Sequence, residues 1–79
     1  EEVQLLCHVS TMKHVIDHFG TDVETEPIDE ESFRANVFLC TSSTFYRWIF
    51  GFNGKIRILG PESVRTAYRE MLRNALEEL

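Results

Sequence analysis

Cysteine, proline and glycine are all scarce in this chain, with 2, 2 and 4 copies among 79 residues. Two cysteines cannot build the disulfide framework of a small secreted domain, which points to a reducing compartment and so to the cytoplasm. No run of apolar residues approaches the roughly 18 that a membrane helix needs, and no secretory leader opens the sequence. The first residue is Glu1 rather than Met, so a piece of a longer chain is expected. Glycine-rich phosphate loops are missing, and Ser10, Ser32, Ser42, Ser43 and Ser63 lie in no nucleophile-elbow motif. No paired acids stand at a strand end either. Nothing in the pattern calls for a catalytic residue, a cofactor or a metal, and a stand-alone enzyme is not expected.

Positive charge is also short: 8 Lys and Arg stand against 13 Asp and Glu, for a net charge of −5. The deficit is uneven. Residues 1–44 hold only Lys13 and Arg34 against nine acids, net −7, whereas residues 45–79 are net +2. Such an acidic first half repels nucleic acid and argues against unaided binding to duplex DNA. The second half leaves room for an anionic ligand held locally.

What the chain does have is a short pattern carried twice, 33 positions apart. Leu6-Cys7 returns as Leu39-Cys40, Ser10-Thr11 as Ser43-Thr44, Ile16 as Ile49 and Phe19 as Phe52. Each copy reads as an apolar strand, a hydroxyl stop, an amphipathic helix, a glycine and a second strand. Two βαβ units in succession predict a ferredoxin-like βαββαβ split sandwich: α+β, a four-stranded antiparallel sheet with two helices on one face.

The individual segments agree. Val3–Cys7 is a short apolar run, hence a strand, and Ser10 or Thr11 can cap the first helix. Met12, Val15, Ile16 and Phe19 fall on one helical stripe, closed by Gly20. Residues 22–26 alternate like a half-exposed strand, and residues 27–32 form an acidic hairpin connection that discourages edge pairing. Phe33–Cys40 is the longest strand and residues 41–44 a polar stop. Phe45, Trp48, Ile49 and Phe52 repeat the helical stripe up to Asn53-Gly54, and Lys55–Leu59 is the fourth strand. Pro61-Glu62 then opens an added terminal helix, residues 61–79, with Val64, Ala67, Tyr68, Met71, Ala75 and Leu79 as its apolar face. Residues 1–79 are thus expected to form a single domain.

If Leu5 and Cys7 face the helices, the repeat places Phe38 and Cys40 beside them. Leu6, Phe33, Val37 and Leu39 then fall on the open face of the sheet, which would be too apolar to stay bare; another domain, a second copy or the final helix could cover it, and a partner is the expectation. Arg65, Arg69 and Arg73 make a basic stripe on the last helix, suited either to that interface or to salt-bridged solvation. Arg47, Lys55 and Arg57 form the other candidate, an anion patch. His14 and His18 have metal-ligand spacing, but no third ligand is fixed, and an exposed polar helix face predicts the same residues. Cys7 and Cys40 read as a thiol pair on neighbouring strands or as two small buried hydrophobes. Neither the aromatic strand motifs of RNA-binding sheets nor the glycine-rich anion loop of acylphosphatases is present. An amino-acid-sensing module of ACT type shares this topology and is the rival expectation, although the glycine-bearing loop that would favour it is missing after the first strand.

The stretch Phe45–Arg65 resembles the C-terminal extension (WCX) domain of bacterial WYL-domain transcriptional regulators. That family's habit is a W-(I/L)-x-x-(F/L)-G helix, a V-x-(I/V)-L-x-P strand and E-x-(L/V)-(R/K) at the start of a terminal helix. Trp48, Phe52, Ile56, Ile58, Leu59, Pro61, Glu62, Val64 and Arg65 match it. The resemblance implies a regulatory and dimerisation module alongside a WYL barrel and a second protomer. It also implies a nucleotide or single-stranded nucleic acid effector shared with that barrel, and DNA contact only through a separate helix-turn-helix domain.

Overall fold

A computed structural model describes all residues, Glu1–Leu79. Strand β1 spans Glu2–His8, helix α1 Met12–Phe19, β2 Glu24–Pro27, β3 Ser32–Phe38, α2 Ser43–Phe50, β4 Ile56–Gly60 and α3 Glu62–Glu77. The four strands form one sheet in the order β2-β3-β1-β4, every neighbouring pair antiparallel. The element order and strand order are those of the ferredoxin-like split sandwich, with α3 added after it. No helix is long and apolar enough to cross a membrane.

Local chemistry sets the boundaries. A 3₁₀ turn at Val9–Thr11 leads into α1; the His8 ring accepts from the Ser10 N–H, and the buried Thr11 hydroxyl donates to the His8 carbonyl at 2.7 Å. Thr11 therefore braces the entry from below and leaves α1 without a side-chain cap. Gly20 closes α1 at φ 102°, a backbone region costly to any residue with a Cβ. Ser42 caps α2 by accepting from the Phe45 N–H. That helix stops at Phe50, two residues before the expected end, because Asn53 (φ 54°) and Gly54 (φ 90°) turn the chain into β4. Pro61 sits at the N-cap of α3, with Glu62 in the positive first turn.

The core lies between one face of the sheet and the helices. Val3, Leu5 and Cys7 on β1, Phe33, Ala35 and Val37 on β3, and Ile56 and Ile58 on β4 meet Val15, Phe45, Ile49 and Val64 from the helices. Each fully buried Leu or Ile contributes roughly 1.5–3 kcal/mol. A second, aromatic layer joins α1 to α2: His18 stacks on Trp48 at 4.4 Å, Phe19 and Phe52 meet Trp48 edge-on, and His14 meets Phe52.

The facing of β3 is the reverse of that expected from the repeat. Cross-strand partners share a face, and here Val3 pairs with Val37, Leu5 with Ala35 and Cys7 with Phe33. Phe33 and Val37 therefore belong to the core, 3% exposed each, whereas Phe38 is 78% exposed. The two copies are related by a two-fold rotation rather than by translation, so matching residues sit at opposite ends of an antiparallel pair. Cys7 and Cys40 are accordingly far apart in register: Cys7 is buried opposite Phe33, and Cys40 is exposed beyond the Glu1–Leu39 end.

The open face is consequently not a continuous apolar surface. Glu26, Arg34, Leu6 and Arg57 form one row across all four strands, and Glu24, Asn36 and Gln4 the next. Arg34 pairs with Glu26 at 3.4 Å, and the Asn36 amide donates to Glu24. Only Leu6, Leu59 and Phe38 interrupt this polar face, as water-facing antiparallel sheets usually allow.

Candidate functional site

Helix α3 packs against β4. Its first turn sends Val64 into the core, and one turn later Tyr68 stacks on Tyr46 of α2 at 5.6 Å with ring planes 15° apart. Burial pushes the Tyr68 phenol above its ordinary pKa. Beyond this anchor the helix leaves an open cleft of about 600 Å³ against β4. Leu6, Leu59, Tyr68 and Leu72 make its apolar lining, Phe50 stands at its side 64% exposed, and Arg57, Arg65 and Arg69 supply its charge.

The charges are not equivalent. Arg65 donates to Glu62 at 3.4 Å, one turn back on its own helix. The side chains of Arg57 on β4 and Arg69 on α3 have no ion-pair or hydrogen-bond partner in the chain. Two unpaired guanidiniums thus share one half-apolar cleft. A guanidinium offers a planar fork of N–H donors that matches carboxylate and phosphate oxygens.

The structure sorts the candidate residues of the sequence. It joins Arg57, Arg65, Arg69 and Leu6 in this cleft. Lys55 lies on the adjoining surface with His8, Ser32 and Arg57. Arg47 stands apart, folded back along α2 onto the Ser43 carbonyl and the Thr44 hydroxyl. Arg73 pairs with Glu70 at 2.9 Å and faces solvent. Phe33 and Val37 are core residues, unavailable to a partner, and Leu39 is half-buried against the core. His14 and His18 rest on aromatic rings, and nowhere do three His, Cys, Asp or Glu side chains converge. Phe50, Tyr68 and Leu72 also line the cleft, beyond the site residues expected from the sequence. The spacing of Tyr68 and Leu72, one turn apart and beside Arg69, is the signal that marks them.

Fold and cleft together define the class: a ferredoxin-like α+β module with a basic, half-apolar groove beside its terminal helix. The family is narrower. The model of the WCX domain matches residues 1–76, and the chain belongs to the WCX domain family, a regulatory domain of WYL-type regulators. Comparison with curated proteins gives no match, and neither does comparison with solved structures.

Proposed function

We propose that this domain is a non-enzymatic dimerisation and effector-sensing module of a cytoplasmic WYL-type helix-turn-helix transcription regulator, and that the cleft between β4 and α3 receives an anionic group of the effector. The observation that carries this is the pair Arg57 and Arg69, unpaired on opposite walls of one cleft. A phosphate would satisfy both guanidiniums, while a sugar or base would lie on Leu59, Tyr68 and Leu72. Nucleotides and short single strands fit that chemistry. The acidic first half disfavours a long polyanion on this domain alone, so the WYL barrel would share the contact and DNA would be read elsewhere in the regulator. Arg57→Glu in the regulator should weaken the transcriptional response to effector while leaving the circular dichroism spectrum and melting of this domain intact. An unchanged response refutes the assignment.

A further inference from the structure

The tip of the β2–β3 hairpin carries the complement of the cleft. Ile28, an apolar side chain 46% exposed, is followed by Asp29, Glu30 and Glu31. The tip is held in one shape: the Ile28 and Asp29 N–H groups donate to the Ser32 carbonyl at 3.0 and 3.3 Å, and the Glu31 N–H donates to Asp29 Oδ1 at 2.8 Å. None of the three acids has a cation within 4.0 Å. One chain therefore presents an apolar knob among unpaired acids and an apolar groove among unpaired arginines. It cannot join them itself, because β3 and β1 stand between β2 and β4, a separation of about 14 Å at the usual strand spacing.

We infer that two copies of this chain dock reciprocally, the hairpin tip of each seated in the β4–α3 cleft of the other. Ile28 meets Leu59 and Leu72, and Asp29, Glu30 and Glu31 meet Arg57 and Arg69. Because the same two copies exchange both tips, the pair has a two-fold axis and leaves no tip or cleft open to a third copy. The inference rests on the cleft described above and gives it a resident in the absence of effector: an acidic segment that an anionic ligand must displace.

Charge reversal tests it, read by sedimentation velocity across concentration and salt. Variant one is Asp29→Lys/Glu30→Lys/Glu31→Lys; variant two is Arg57→Glu/Arg69→Glu. All five positions are exposed, and circular dichroism checks that each variant folds. The unaltered chain should dimerise at low salt and dissociate as salt rises. Each variant alone should lose more than about tenfold in self-association, since like charges then face each other. An equimolar mixture should recover a heterodimer, because each basic tip then meets an acidic cleft and each acidic tip a basic one. A chain that stays monomeric at every concentration, variants that associate like the parent, or a mixture without heterodimer would each overturn the docking. Variant one keeps the cleft arginines, so titrating it with adenosine monophosphate separates the two ideas. If variant one binds the nucleotide but the unaltered chain never dimerises, the docking alone fails; if the unaltered chain dimerises and variant one does not bind, the effector site alone fails.

Discussion

Phe33 and Phe38 lie on one strand, five residues apart and hence on opposite faces. The same substitution, Phe to Ala, should therefore give two different results. Phe33 is 3% exposed within the core, and removing a buried phenyl ring leaves a cavity costing about 3–5 kcal/mol. Phe38 is 78% exposed, so roughly a fifth of its burial energy is at stake, about 0.5 kcal/mol. A domain of this length has about 4–12 kcal/mol in total. At a urea slope of about 1 kcal/mol per molar, Phe33→Ala should lower the unfolding midpoint by about 3 M or leave the chain unfolded, while Phe38→Ala moves it by less than about 1 M. Should Phe33→Ala fail to fold, Phe33→Leu gives a measurable intermediate loss, below about 1.5 kcal/mol. Equal shifts, or a larger one at Phe38, would refute the register and put the other face of β3 against the helices.

The two thiols should separate cleanly. Cys40 should react with a thiol reagent in the native state near pH 8, and Cys7 only on unfolding, since burial pushes its thiol up to about 12. The ordinary thiol ionises near 9.0, so the Cys7 contribution to stability is whole below that pH and is lost as pH rises from there towards 12. The urea midpoint of the parent should consequently fall more steeply between about pH 8 and pH 10.5 than that of Cys7→Ala; parallel profiles would refute this. Tyr68→Ala should cost about 1 kcal/mol or more by removing the stack on Tyr46 and should loosen α3 selectively, visible as lost helical signal with the sheet retained. Tyr68→Phe should keep the helix in place.

The element order was legible in the sequence because each segment carries its own signal: the stripe at Met12, Val15, Ile16 and Phe19, the glycine behind it, and the same stripe again at Phe45 to Phe52. These are local properties, and the repeat added the topology. The repeat misled where it was carried into space, because a duplicated βαβ unit pairs with its twin antiparallel, and one residue of offset exchanges Phe38 for Val37 on the core face. Burial in the first strands corresponds from Val3 to Ala35 and from Leu5 to Val37, a spacing of 32 rather than 33. Half of the candidate site was also readable, since Arg57 had to point away from a core that takes Ile56 and Ile58. That Arg57 shares a cleft with Arg69 and not with Arg47 depends on the angle at which α3 docks. The docking angle comes from Val64 and the Tyr46–Tyr68 stack, contacts between elements that no periodicity within one of them encodes.

Helix α3 has a further consequence for timescale. Val64 and Tyr68 tie its first two turns to the body, whereas Arg73 to Leu79 are all exposed and Leu76 is 70% uncovered. A helical segment that short has little stability of its own in water, so protection from hydrogen exchange should decay along the helix, from near the global value at Val64 to almost none at the last turn. Arg69 and Leu72 sit at the boundary between these regimes. The outer wall of the cleft is therefore set to open and close far more often than the domain unfolds, and an occupant that clasps this wall would be felt as order spreading toward the end of the chain.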